Sequence, residues 1–227
     1  MNNKNEIIFI GTSHIDPDGY VNVMDVLNSL SPELILLEVS PLSILLRRTY
    51  GQILKLILHR NIKILKLGII PELRNVISYL ELPHEYRAVK DYCRKTGSEF
   101  ILADISLFTL FRFIHAHRLV TKRNLLALSG IREDRFIQEK SAADCIFNKK
   151  DDILLNMKLH QFRKDNLAMR RESLLLKKLN KYADRYSDKK IVYVGGWEHL
   201  LDDPEVMTLY TSCNFSKKRQ VSFLQQR

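Results

Sequence analysis

Little in this sequence could staple a fold or cross a membrane. Its three cysteines, Cys93, Cys145 and Cys213, stand far apart, odd in number and outside any CxxC spacing. That pattern signals neither a disulfide framework nor a zinc knuckle, and it suits free thiols in a reducing compartment. Eight glycines and six prolines are too few for a collagen or linker composition. No apolar stretch approaches the roughly 20 residues of a membrane span. The longest aliphatic region, Ile53 to Ile70, is broken by Lys55, His59, Arg60, Lys63 and Lys66. The apolar run Ile7 to Ile10 is too short for the core of a signal peptide, and no internal repeat is present. A cytoplasmic protein without a transmembrane segment is the expectation.

What is present is an ordinary globular composition with an unusual charge. The 227 residues are 45% hydrophobic and 27% charged, with 36 Lys and Arg against 26 Asp and Glu, a formal charge of +10. A chain of this length buries roughly 70% of its unfolded surface as one domain. The cations are spread over Arg47–Lys66, Lys122-Arg123, Lys149-Lys150, Lys177–Lys190 and Lys217–Arg219, with no recognised DNA- or RNA-binding motif. Such charge supports non-specific, salt-sensitive association at best. No specific nucleic-acid partner is expected. An acidic peptide or small-molecule substrate suits the charge better, and the sequence leaves room for a homo-oligomer.

The hydrophobic pattern alternates between strand and helix. Glu6–Ile10 is a short apolar run ending in Gly11-Thr12-Ser13-His14. After the turn signal Asp16-Pro17-Asp18-Gly19, residues Val21, Met24, Leu27 and Leu30 fall at helical spacing, and Ser31-Pro32 stops the helix. Leu34–Leu37 is a second apolar run, ending at Glu38. A helix over Glu85–Lys95, stopped by Gly97, precedes a strand over Phe100–Ala103 that ends at Asp104. A long helix over Asp165–Tyr186 precedes Ile191–Val194, which runs into Gly195-Gly196-Trp197-Glu198-His199. Uniformly apolar strands between helices predict an α/β fold with a mainly parallel central sheet and helices on both faces. Ser43–Tyr79 and Ile105–Leu155 read as helical insertions. Residues 1–215 form the α/β domain in this reading, and the basic tail, 216–227, is expected to fray.

Each of the four strands leads at its C-terminal end to a ligand or proton-transfer group: His14, Glu38, Asp104 and His199. In an open parallel sheet these ends share one rim, where ligands bind. Two imidazoles and two carboxylates make a site for a divalent metal such as Zn or Mn, which polarises a carbonyl and acidifies bound water. Gly11 and Gly196 each lie three residues before a histidine, where a small residue lets the backbone approach a ligand. Taken singly, each group has a plainer reading: a loop histidine, or a carboxylate capping the next helix. Arg171 lies along the apolar stripe of its helix and Arg112 inside Leu107–Ile114, so each needs an anionic partner unless its stem snorkels to solvent. Glu85, at the start of its helix, is the remaining acid–base candidate.

These residues carry a family resemblance. Ile8-Phe9-Ile10-Gly11-Thr12-Ser13-His14 followed by Pro32–Glu38 resembles the opening of the TraB/PrgY family, the pheromone-shutdown proteins, with its Gly-x-x-His motif. Pro83-His84-Glu85-Tyr86-Arg87-Ala88 is similar to the family's Pro-Gly-x-Glu-Met segment, and Thr109-Leu110-Phe111-Arg112 to its Thr-Leu-x-Arg. Arg171-Glu172 with Leu175 and Leu179 resembles Arg-Asn-x-x-Met-Ala, and Gly196-Trp197-Glu198-His199-Leu200 the closing Gly-x-Gly-His-Leu. The resemblance runs from about Ile7 to Leu201. It implies the α/β fold shared with Tiki-type metalloproteases, erythromycin esterases and haem-binding ChaN proteins. Ile105 stands where the family has Arg, and Arg170 where it has an acidic residue.

Two functions are therefore expected to compete. In the first, a metal-dependent hydrolase of peptidase or esterase type, His14, Glu38, Asp104 and His199 hold a divalent ion (Mn, Co or Zn). Glu85 then serves as general base, and Arg112 or Arg171 faces the oxyanion. In the second, the altered motif positions leave a protein that binds a peptide or cofactor without turnover.

Overall fold

The computed structural model describes residues 7–68, 70–106, 110, 113–131, 134–164, 166–201, 210 and 217–224. Its centre is a five-stranded sheet, β1 (Ile7–Thr12), β2 (Leu34–Leu37), β3 (Glu99–Leu102), β4 (Ile191–Gly196) and β5 (Lys217–Val221), in the order β3-β2-β4-β1-β5. Every pairing is parallel. The α/β expectation is met, and the physical basis is visible in the alternation of side chains. Ile10, Ile35, Leu37, Val192 and Val194 point to one face, against Val23, Met24 and Leu27 of α1 (Gly19–Leu30). Ala88, Val89 and Tyr92 of a later helix complete that layer. Ile7, Phe9, Leu34, Leu36, Ile191 and Tyr193 point to the other face, against Leu175, Leu179 and Ala183. With both faces covered, the central strands β2, β4 and β1 have no polar side to show, so they read as continuous apolar runs.

Helix boundaries follow local chemistry. The α1 helix is entered through Asp16, whose carboxylate accepts hydrogen bonds from the Asp18 N–H and the Asn22 side chain, both at 2.9 Å. It ends at Ser31, held in the left-handed region at φ 47° before Pro32. The first insertion comprises α2 (Pro41–Arg48), α3 (Tyr50–Leu65) and α4 (Pro71–Leu80). Ser40 caps α2 by accepting from the Ser43 N–H at 3.0 Å, so Glu38 is spared that task. Then α5 (His84–Thr96) closes at Gly97, φ 80°, the left-handed stop expected from Thr96-Gly97. The second insertion holds α6 (Lys122–Ser129), α7 (Arg135–Phe147) and α8 (Asp152–Lys164), and α9 (Asn166–Arg185) returns the chain to the sheet. Among the described residues no helix is long and apolar enough to cross a membrane.

The tail departs from expectation. Instead of fraying from Ser216, the chain adds β5 in register with β1, from Ile7 opposite Lys217 to Gly11 opposite Val221. With β4 on one side only, β1 would keep a row of unpaired N–H and C=O groups, which β5 satisfies. Basic, polar composition reads as a solvated tail, yet it is also what an edge strand tolerates. Val221 and Phe223 are buried beside Trp197, Ile146 and Leu201, and the Ser222 hydroxyl donates to the Gly11 carbonyl at 3.1 Å. We expect Phe223→Ala to destabilise the fold by about 3 kcal/mol, the size of a buried Phe truncation. Urea denaturation would show it as a lowered midpoint, and an unchanged midpoint would mean that the tail is dispensable.

Candidate active site

The strand order sets the order of groups along the C-terminal rim: Asp104 after β3, Glu38 after β2, His199 after β4 and His14 after β1. Neighbours on this rim are joined by side chains from the helices. Arg171, on α9, donates from Nε to Asp104 Oδ1 at 2.9 Å and from Nη2 to Glu38 Oε1. His199, in the 3₁₀ turn Trp197–Leu200, has Nε2 2.9 Å from Glu38 Oε1 and Nδ1 2.6 Å from Glu172 Oε2. Both ring nitrogens thus face carboxylate oxygens, which only accept, so the ring is an imidazolium. Burial opposes that charge, but Glu172 and Glu38 outweigh it and raise the His199 pKa to about 10.

Glu38 is the hub. Its Oε2 accepts from the Gly196 N–H at 2.8 Å and from the Tyr193 hydroxyl at 3.2 Å, while Oε1 serves Arg171 and His199. Burial would push this carboxyl up, yet the charges of His199 and Arg171 hold it well below the ordinary value of 4.5. The carboxylate also explains a glycine. A Cβ on Gly195 would lie 2.4 Å from Glu38 Oε2 and 2.7 Å from the Tyr193 ring. The two glycines proposed for ligand approach have other work. Gly11 makes room for the 3₁₀ turn, since its Cβ would meet Trp197 Cα at 2.9 Å, and Gly196 contributes its N–H to Glu38. Neither has positive φ. In the structure Gly11 serves close backbone packing and Gly196 anchors Glu38.

A second cluster adjoins the first. His14 Nδ1 is 2.6 Å from Glu85 Oε1, and Thr12 Oγ1 lies 3.0 Å from both Glu85 Oε1 and the Gly195 carbonyl. The His14 side chain is 59% exposed, whereas Glu85 is 2% exposed. Because the carboxylate accepts, Nδ1 carries the proton and Nε2 is the basic nitrogen of neutral His14. The Glu85 charge and hydrogen bond raise the His14 pKa, and Glu85 itself is held far below the usual carboxylate range although burial would raise it. His84 is buried behind this pair, with Nε2 3.5 Å from Glu85 Oε1, and burial lowers its pKa. Gly19 permits that seat, for a Cβ there would lie 2.2 Å from His84 Nε2. Glu85 Oε2 and His84 Nε2 have no hydrogen-bond partner.

Six residues read from the sequence therefore gather at one rim: His14, Glu38, Glu85, Asp104, Arg171 and His199. Arg112 lies outside the described residues. Glu172, Tyr193, Thr12 and His84 were not foreseen as members. Glu172 had one visible sign, its place beside Arg171 on a helix with a buried stripe. Tyr193, inside an apolar run, had none.

The expected metal shell can be tested against this arrangement. Arg171 already spans Glu38 and Asp104, the Glu38 oxygens accept from four donors, and both His199 nitrogens meet carboxylates. A divalent ion would have to displace the guanidinium and strip protons from His199. Among the described residues no three His, Cys, Asp or Glu converge as a metal ligand group. In this arrangement the ligand atoms expected of Glu38, Asp104 and His199 are engaged by one another, by Glu172 and by Arg171. The Arg171 charge is shared between two carboxylates, Glu38 and Asp104. Glu85, sunk behind His14, orients that ring and does not meet solvent.

No family model, curated protein or solved structure matches the chain.

Proposed function

We propose that the chain is a hydrolase of ester or peptide bonds in which His14 is the general base. The observation that carries this reading is the His14–Glu85 pair: an exposed imidazole whose Nδ1 is fixed at 2.6 Å by a buried carboxylate, leaving Nε2 to accept a proton. Nε2 takes the proton from water as its oxygen attacks the carbonyl, and returns it to the leaving group as the tetrahedral intermediate collapses. Glu85 holds the ring in the productive tautomer and stabilises the imidazolium that forms. Glu38, Arg171, His199, Glu172 and Asp104 lock the neighbouring loops so that this geometry persists. Kinship with the TraB/PrgY proteins is part of the proposal, supported by the convergence of six of its motif residues on one rim. An acidic peptide or small-molecule substrate in the cytoplasm suits the formal charge of +10.

Purified protein assayed on a panel of nitrophenyl esters and a peptide library tests the reading. Hydrolysis should survive a chelator, and elemental analysis should find less than one equivalent of transition metal. Activity abolished by chelation and restored by Mn, Co or Zn would return the metal to the centre of the mechanism. Peptides bound but recovered intact would establish capture without turnover.

A further inference from the structure

Between Glu38 and Glu72 the chain has no acidic residue, while Arg47, Arg48, Lys55, Arg60, Lys63 and Lys66 supply six cations. At the centre of this segment α3 is apolar on two sides. Its inner side places Leu54 and Leu58 against Leu73, Val76 and Leu80. Its outer side presents Ile53, Leu56, Ile57 and Ile64, which are 41% to 72% exposed. Positions 53, 56, 57, 60 and 64 fall on one helical face, a stripe of roughly 16 Å at 1.5 Å per residue. Arg60 lies within the stripe, and Gln52, His59 and Lys63 are exposed along its flank. Four large aliphatic side chains in one row differ from the singly scattered exposed residues of an ordinary surface.

From the charge we infer that the outer face of α3 docks on an anionic membrane surface. A two-fold pairing of this face with a second copy would bring Arg60 and Lys63 against like charges, while the Glu81 carboxylate beside α3 is already engaged by Lys55 at 2.7 Å. Arg60, Lys63 and Lys66 form no ion pair among the described residues. Anionic headgroups supply the missing charge, while the aliphatic stripe enters the boundary of the acyl chains and the basic stems extend to the headgroups. The association is peripheral, since no described helix can span.

Sedimentation of the full chain with phosphatidylcholine vesicles, with and without phosphatidylserine, tests this directly. Binding is expected only with phosphatidylserine and should weaken at high salt. Each of Arg60→Glu and Lys63→Glu should weaken it at least about fivefold. Paired Ile53→Gln and Leu56→Gln should weaken it about tenfold, with the melting temperature unchanged because these positions are exposed. Absence of binding at low salt would overturn the inference. So would equal binding to neutral vesicles, or concentration-dependent dimerisation that Leu56→Gln abolishes without any vesicle binding.

Discussion

His14→Asn is expected to lower kcat/KM by about 10²–10⁴-fold, the usual worth of a positioned general base. Asparagine places an amide donor where Nδ1 sits, so the buried Glu85 keeps its partner while the basic nitrogen is lost. The fold should therefore survive, and the melting temperature serves as the control. In the wild type, kcat/KM should rise with pH through a value above the ordinary 6.5 of histidine, because the Glu85 charge raises His14. Glu85→Gln removes that charge. It should move the inflection back toward 6.5 and also lower the rate, a combination that loss of a merely structural contact would not produce. A rate within twofold of wild type in His14→Asn would remove His14 from the mechanism.

Glu38→Ala should be the most damaging single change to stability, at about 3–5 kcal/mol. Glu38 faces Arg171 and His199 inside the protein and accepts from Tyr193 and Gly196 as well. Truncation leaves two cations short of a counter-charge and two donors without an acceptor. At roughly 2–4 °C per kcal/mol for a chain of this size, the melting temperature falls by about 10–15 °C. The same network predicts how stability depends on pH. Glu38 and Glu85 are depressed below 4.5 in the folded state, so their contribution is present above that value and is lost as pH falls through their folded values. His199 is raised to about 10, so its contribution is complete below 6.5 and is lost as pH rises toward 10. These three groups place the highest denaturation midpoints between about pH 4.5 and 6.5, and His84, whose lowered value costs stability below 6.5, draws the maximum toward the upper end of that window. A midpoint that stays flat from pH 7 to 10 would show that His199 is not held as an imidazolium.

The legible part of this protein was local. Leu34–Leu37 and Ile191–Val194 announced themselves as two-sided strands by unbroken aliphatic runs, and Gly97 announced a helix end because it alone tolerates the left-handed turn at no cost. The residues following each strand could be named because parallel pairing forces all C-terminal ends to one rim. Much less could be said of what those residues do to one another. His14 and His199 looked like two halves of one metal site; the fold adds that Glu85 holds the first while Glu38 and Glu172 flank the second. Glu172 and Tyr193 sit in helix and strand patterns that carry no mark of a polar network.

By itself, the sequence determined the alternation of strands and helices, the two-sided core and the identity of the rim groups, since hydrophobic period and turn chemistry act over a few residues. Only the tertiary structure decided that β4 lies between β1 and β2, that β5 closes the open edge of β1, and that Arg171 enters the space between Glu38 and Asp104. The strand pairings and the Arg171–Glu38 contact each join residues more than a hundred positions apart. A buried charge settles beside whichever opposite charge the assembled layers bring within reach, and no local pattern encodes that choice.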